Sequence, residues 1–169
     1  MIIGNGDLAS VLPDRHDLIF FASGVSNSKE TRESEYQREI DLLMRQDVHK
    51  HLVYFSSLSI FYAKTRYTQH KIEMERTVKT YFEHYTIIRL GNILWGTNPN
   101  TLINFFKNQV KKGEPLDIQD THRYVVDKDE FLHWIGMIPM WDCEMNVPGQ
   151  FLTIKEIVNK YVYLGNNPK

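Results

Sequence analysis

The sequence is short of cysteine and of long apolar runs, and each shortage excludes a class of protein. Cys143 is the only cysteine among 169 residues, so an intrachain disulfide is excluded and a reducing cytoplasm is the expected location. No apolar run approaches the roughly 18 residues of a membrane-spanning helix. The apolar residues at the start are interrupted by Gly4, Asn5, Gly6 and Asp7, which is not the pattern of a signal peptide.

An excess of charge of one sign is also missing. The formal net charge is -1 with 24% charged residues, and lysine and arginine are scattered along the chain. Binding to nucleic acid or to an anionic membrane through surface charge needs a basic patch, so we expect neither partner. A small molecule is therefore the expected partner.

Metal ligands are few as well. His49 and His51 have a His-x-His spacing that could ligate zinc on a strand, but the sequence fixes no third ligand, and Cys143 is distant in the chain. We therefore predict no metal site. His70 is turned about 100° from Lys71 around a helix, which predicts a surface position for this histidine.

Short apolar runs alternate with helical patterns along the rest of the chain. Strands are predicted over residues 1–3, 17–22, 51–57 and 85–90. The apolar run within 17–22 is unbroken, which is typical of a strand buried on both faces. This alternation predicts right-handed crossovers and a parallel sheet covered on both faces, that is, a three-layer α/β fold of the Rossmann type.

Several residues mark where the helices begin and end. The long helix is predicted over residues 67–83, and the other signals follow known capping rules. In chain order they are Pro13 as the stop of a short first helix, Ser34 with Gln37 as a capping box, Asn98 with Pro99 as a start and Gly113 as its stop, Asp127 with Glu130 and Thr153 with Glu156 as two further starts, and Gly165 as the last stop.

Tyr67 and Lys71 carry the most informative chemistry. They are four residues apart, so a helix places them on one face, while Ser57 ends the strand that precedes this helix. An ammonium and a donated hydrogen bond can both lower the pKa of a phenol, and a shift from about 10 to neutrality corresponds to about 4 kcal/mol. Tyr124 and Lys128 have the same spacing but lack this strand-then-helix context, and Ser59 is a reserve candidate for the hydroxyl.

Ligands of parallel sheets bind beyond the carboxyl ends of the strands, where Gly4, Gly6, Ser23, Ser57 and Asn92 are expected. The order of the motifs resembles the extended short-chain dehydrogenase/reductase family, whose best-known members are nucleotide-sugar epimerases and dehydratases. The resemblance runs from the first strand to Gly165 and depends on Gly4-x-Gly6-x-x-Ala9, Phe20-Phe21-Ala22-Ser23, Phe55-Ser56-Ser57, Tyr67-x-x-x-Lys71, Arg89-Leu90-Gly91-Asn92-x-x-x-Gly96 and His122-Arg123-Tyr124-Val125-Val126-Asp127.

The resemblance implies NAD or NADP as cofactor and a role for particular residues. Ser57 would orient the substrate, Tyr67 would act as acid and base, and Lys71 would hold the nicotinamide ribose and lower the pKa of Tyr67. The amides of the turn Gly4, Gly6 and Ala9, and the helix N-terminus that follows, would meet the pyrophosphate of the cofactor. Ala22 and Ser23 would also bind the cofactor. Asn92 and Arg123 would contact the substrate's phosphates. A homodimer through residues 36–44 and 67–82 is also implied.

The chain also departs from this family. Residues 13–16 lead straight to a strand that resembles the family's fourth, so the second and third strands, and with them the adenine side of the site, are predicted to be missing. Arg15, His16 or a second subunit could replace them. We predict one shortened domain over 1–169, with a Rossmann core at 1–97 and a reduced C-terminal α+β portion at 98–169.

Two functions follow from these features. The first is an NAD(P)-dependent oxidoreductase or epimerase that acts on a nucleotide-sugar or a similar polar carbonyl or hydroxyl compound. The second is a non-catalytic module that binds a ligand or partner on a degenerate scaffold of the same fold, with weak dinucleotide binding or none. The serine, tyrosine and lysine favour the first, and the missing adenosine side favours the second.

Overall fold

The computed structural model describes residues 1–163, so the helix end predicted at Gly165 lies outside the described part. Five strands form a parallel sheet, namely β1 Ile2–Ile3, β2 Leu18–Phe21, β3 His51–Ser57, β4 Tyr85–Leu90 and β7 Cys143–Val147. They lie side by side in the order β1, β2, β3, β4, β7. The predicted α/β fold of the Rossmann type is confirmed, and β3 and β4 have the predicted bounds.

Alternation along the strands builds one core on each face of the sheet. Phe20, Val53 and Ile88 point to one face, where they pack with Phe131 and Ile135 of the helix α4, Lys128–Gly136. Their sequence neighbours point to the other face and pack against two helices, α1 Glu33–Leu43 and α2 Arg66–Tyr81. β2 is apolar and buried at all four positions because both faces of the sheet are covered.

The helix caps differ in part from those predicted. The capping box of Ser34 with Gln37 is wrong, because α1 begins at Glu33 and Gln37 donates its side-chain amide to Asp41. The backbone amide of Arg32, which precedes the helix, is bound instead by Glu30. The long helix begins at Arg66, one residue before the predicted start, and is capped by Thr65 through a reciprocal box with Thr68.

A second, three-stranded sheet follows in the chain. It consists of β5 Asn92–Ile93, β6 His122–Val126 and β8 Gln150–Thr153, with β5 parallel and β8 antiparallel to β6. The helix α3, Leu102–Lys112, packs beside it and is capped by Thr101 rather than by the predicted Asn98. Gly113, the predicted stop, ends it in a left-handed conformation. The predicted starts at Asp127 and Thr153 are confirmed for α4 and for α5, Ile154–Ile157, which continues into a π-helix, Val158–Tyr163.

The connection between β1 and β2 is where the fold is shortest. The short helix predicted to end near Pro13 is a single 3-10 turn, Ala9–Val11, because Gly4 and Gly6 precede it and Pro13 follows closely. No strand lies between β1 and β2 in the described residues, and β1 is an edge of the sheet.

The predicted division of the domain at residue 97 stays a prediction, although β7, from the later portion, pairs with β4. None of the helices described in residues 1–163 has the length and apolar character needed to span a bilayer.

Candidate functional site

A cleft with a volume of about 1110 Å³ opens beyond the carboxyl ends of the parallel strands. Parallel strands all end on this edge, so residues distant in sequence meet there. Eight of the residues predicted from the sequence line the cleft, namely Gly6, Ala22, Ser23, Ser57, Tyr67, Lys71, Asn92 and Arg123. Gly4 and Ala9 do not line it.

The two glycines of the turn after β1, Gly4 and Gly6, have different roles. Gly4 has φ 125°, and a Cβ there would collide with the carbonyl oxygen of Ala22, so this glycine lets β1 approach β2. A Cβ on Gly6 would have no atom within 4 Å, so Gly6 leaves open space on the cleft side. The helix N-terminus expected to meet a pyrophosphate is absent, because Ala9–Val11 is one 3-10 turn and carries little helix dipole.

Asp7 follows these glycines and lines the same cleft. Its carboxylate accepts hydrogen bonds from the backbone amides of Thr97 and Asn98 at 2.9 and 3.0 Å. Gly96 makes this approach possible, since a Cβ there would collide with the Asp7 side chain. The chain therefore places its own anion beside the turn that was expected to receive phosphate, a feature that the glycine spacing alone does not reveal.

Ser57, Tyr67 and Lys71 share the middle of the cleft. Ser57 Oγ lies 2.8 Å from Ser59 Oγ, so the predicted hydroxyl and its reserve form one hydrogen-bonded pair. Lys71 Nζ lies 5.8 Å from the centroid of the Tyr67 ring. The three predicted side chains thus reach one cavity, with the hydroxyls on β3 and the turn after it, and the phenol and ammonium on α2.

Lys71 is less free than the sequence suggests. Only 3% of the residue is exposed, and Nζ donates to Glu39 Oε1 at 3.1 Å and to the Tyr54 hydroxyl at 3.0 Å. Burial is the largest single influence on Lys71 and alone would lower its pKa, but the charge and hydrogen bond of Glu39, together with contributions from Tyr67 and Glu75, outweigh burial, and the pKa is raised. Burial and the Glu39 charge together raise the pKa of the Tyr54 hydroxyl well above its usual range, so Tyr54 stays neutral.

Glu39 is fully buried and is the centre of this network. Besides Lys71, its oxygens accept from the Tyr54 hydroxyl at 2.8 Å, the Val25 amide at 2.7 Å and His70 Nε2 at 3.0 Å. Burial opposes ionisation, yet Lys71 and these hydrogen bonds overcome it and hold the pKa of Glu39 well below its usual range.

The surface position predicted for His70 is wrong. The residue has 0% exposure and its ring lies 4.7 Å from that of Tyr36. A helical wheel gives the angle between two residues but not which sides of the helix are covered, and α1 covers this side. Gly24 is a further residue that sequence reasoning missed, because a Cβ there would lie 2.7 Å from Lys71 Nζ and 2.9 Å from Glu39 Oε1.

The part of the cleft lined by Asn92 and Arg123 is polar. The Asn92 side chain donates to the Tyr124 carbonyl at 2.9 Å, and Arg123 donates to the His122 carbonyl at 2.8 Å, so both are held while lining the cleft. Tyr62 lines the cleft as well, although no sequence motif marked it. Trp95 is a packing residue, 5.2 Å from the Phe131 ring.

Arg15 and His16 do not line the cleft, and Arg15 is paired with Asp17. His49 lies 2.8 Å from Glu83, and His51 is buried against Thr86. Within residues 1–163 no three potential metal ligands come together. Arg15, His49 and His51 thus have structural partners outside the cleft.

Comparisons with known proteins give similar structures but no similar sequences. No protein-family profile matches the chain, and no curated protein matches it. A variant of UDP-glucuronic acid 4-epimerase from Bacillus cereus, in complex with NAD and a fluorinated UDP-sugar, superposes with TM-score 0.70 at 14% identity over 96% of this chain and 63% of the epimerase.

Two further structures are similar. UDP-glucose 4-epimerase from Thermus thermophilus, in complex with NAD, gives TM-score 0.64 at 15% identity over 90% of this chain and 63% of its own. The Bordetella bronchiseptica enzyme WbmG, in complex with NAD and UDP, gives TM-score 0.66 at 16% identity over 90% of this chain and 57% of its own. The chain has the fold of these three enzymes, whose structures contain NAD, and it spans about three fifths of their length.

Proposed function

We propose that the protein is an NAD(P)-dependent oxidoreductase or epimerase that acts on a nucleotide-sugar or a similar polar carbonyl or hydroxyl compound. The observation that carries the proposal is the meeting of Ser57, Tyr67 and Lys71 in one cleft at the carboxyl edge of the sheet. The fold shared with epimerases supports the same class of reaction.

The residues of the cleft suit the nicotinamide half of the cofactor. The open space at Gly6 and the buried ammonium of Lys71 would hold the phosphate and the nicotinamide ribose. A bound nicotinamide would supply the acceptor or donor of hydride. Ser57 would hold the reacting oxygen of the substrate, and Tyr67 would take the hydroxyl proton during oxidation and return it during reduction. Lys71 would place its positive charge 5.8 Å from the centroid of the Tyr67 ring.

A non-catalytic binding module is the second candidate, and two observations favour it. The turn after β1 offers Asp7 rather than a helix N-terminus, and Lys71 is already paired with Glu39. Such a module would keep the cleft and a polar ligand without turnover. A homodimer and a cytoplasmic location stay predictions under either function.

Cofactor binding separates the two candidates. We expect NADH or NADPH to saturate the protein at micromolar to submillimolar concentration in a fluorescence titration, and Lys71→Met to weaken that binding. Tyr67→Phe should bind the cofactor normally but reduce formation of reduced cofactor from NAD and UDP-glucose or UDP-glucuronic acid by about 10²- to 10⁴-fold.

Tyr81→Phe is the matched control, because Tyr81 ends the same helix and is 54% exposed. It should change neither binding nor turnover. If neither cofactor saturates the protein up to millimolar concentration, the enzyme proposal is refuted and the binding module is favoured.

A further inference from the structure

A lysine as buried as Lys71 does not keep its charge unaided. Desolvation can lower the pKa of a buried lysine by about 3–5 units, which leaves it neutral at physiological pH. Lys71 is 3% exposed, so its ammonium needs a compensating charge close by. Glu39 Oε1, at 3.1 Å, is the carboxylate that hydrogen-bonds it.

The other charged or titratable groups near Lys71 are less well placed than Glu39, the carboxylate in direct contact with the ammonium. Tyr54 is neutral and accepts from Nζ as a hydroxyl. Tyr67 contributes its ring face at 5.8 Å. Glu75, one helical turn further along α2, forms a two-pronged ion pair with Arg89, so its charge acts on Lys71 less than that of Glu39. Glu39 comes from a different helix, α1, and reaches Lys71 from across the helix pair.

The direction of Lys71 is fixed by the same contacts. An ammonium has three N–H donors, and Glu39 and Tyr54 take two of them, which leaves one for the cleft that Lys71 lines. Glu39 itself is held by the Val25 amide, the Tyr54 hydroxyl and His70. A carboxylate only accepts hydrogen bonds, so all these groups donate to it and favour its ionised form.

We propose that Glu39 is a positioning residue that keeps the buried Lys71 protonated and aims its one remaining proton into the cleft. The consequence for catalysis rests on the proposed function, in which this proton meets the nicotinamide ribose and the Lys71 charge acts on Tyr67. The pairing does not inactivate Lys71; it is the reason that Lys71 has a charge to use.

The sign of the pH effect follows from the pair. In the wild type, Lys71 stays charged up to a pH above the ordinary lysine pKa, so cofactor affinity should be level across neutrality. In Glu39→Gln, the charge compensation is lost and desolvation lowers the Lys71 pKa. Affinity for NADH should then fall by about tenfold for each pH unit above the lowered pKa. Glu39→Asp, which keeps the charge, should retain part of the wild-type behaviour.

The direct test is a pH titration of the lysine side-chain resonances in protein labelled with ¹³C-lysine, with Lys71 assigned by Lys71→Met. We expect the pKa of Lys71 to fall below the ordinary lysine value in Glu39→Gln. Asp41→Asn is the matched control, since Asp41 is an exposed carboxylate of the same helix and should leave the Lys71 titration unchanged.

Each outcome decides the proposal. Lys71 that stays protonated through neutrality in Glu39→Gln overturns it, and so does tighter NADH binding or faster turnover in this variant. If Glu39→Gln does not fold, the pKa of Lys71 is measured in the wild type and in Glu39→Asp. A pKa below the ordinary lysine value in either protein also overturns the proposal. The titration needs no cofactor, so absence of NADH binding by the wild type would refute the enzyme proposal while leaving the charge measurement valid.

Discussion

Gly6 and Gly136 offer a comparison at the scale of single residues. A Cβ on either would have no atom within 4 Å, and neither has a positive φ, so alanine fits both positions without collision. Only Gly6 lines the cleft. A methyl group at residue 6 should therefore occupy space that is free in the protein and is needed by a ligand.

Gly6→Ala is accordingly expected to leave the melting temperature unchanged or slightly raised, because alanine lowers the entropy of the unfolded chain. Binding of NADH should weaken by about tenfold or more, equivalent to about 1.4 kcal/mol. Calorimetric unfolding and a fluorescence titration measure the two effects. Gly136→Ala, inside α4, should change stability without changing binding. Unchanged affinity in Gly6→Ala would place the ligand elsewhere.

Single residues also show how far the sequence predicts the site. The spacing of Tyr67 and Lys71 was enough to place both in one cleft, because a helix fixes which residues share a face. Glu39 was not foreseen, since its contact with Lys71 joins α1 to α2 over 32 positions of sequence. No local pattern encodes such a pairing, and the burial of His70 was missed for the same reason.

At the scale of elements, an ionic network around Arg89 joins the carboxyl end of β4 to its neighbours α2 and β7. Arg89 donates to Glu75 of α2 at 2.8 and 2.5 Å and to Glu144 of β7 at 2.6 Å. The side chains of Arg89 and Glu75 are 11% and 7% exposed. The hydrogen bonds that Arg89 donates to Glu75 hold the pKa of Arg89 above its ordinary value. One guanidinium therefore ties a helix and two strands together.

Arg89→Met should lower the free energy of unfolding by about 3–5 kcal/mol, because it leaves Glu75 buried without a partner. The double variant Arg89→Met with Glu75→Met should recover most of that loss, since two apolar side chains need no compensation. Urea unfolding measures both. Lys79→Met, which removes the exposed partner of Glu144, should cost about 0–1 kcal/mol. A double variant as unstable as the single one would contradict this account.

The elements themselves were predictable to different degrees. β3 and β4 have the predicted bounds because both are long apolar runs between polar turns. The predicted start of α1 is wrong because Ser34, in the first turn, resembles a helix cap. The sequence does not reveal that Glu30 accepts a hydrogen bond from the backbone amide of Arg32 just before the helix. The first helix was predicted where only a 3-10 turn fits, since residues between Gly6 and Pro13 are too few for a stable helix.

The whole molecule is asymmetric about the cleft. On one side β2, β3 and β4 continue the sheet toward β7, and on the other the sheet stops at β1, a strand of two residues. No strand pairs with the outer edge of β1 in residues 1–163. This edge agrees with the predicted absence of two strands between β1 and β2, so we expect residues 1–163 to offer no sheet beyond β1 on which an adenosine could lie.

This asymmetry predicts that the adenosine half of a dinucleotide contributes little to binding. In a complete site, burial of about 150 Å² of adenosine would be worth about 4 kcal/mol, or about a thousandfold in affinity. We therefore expect reduced nicotinamide mononucleotide to bind within about tenfold of NADH in a calorimetric titration, a difference below about 1.4 kcal/mol. Lys71→Met should weaken both ligands equally, since both contain the nicotinamide ribose. NADH that binds about a thousandfold more tightly than the mononucleotide would show that adenosine has a site, formed by a second subunit or by the connection from β1 to β2.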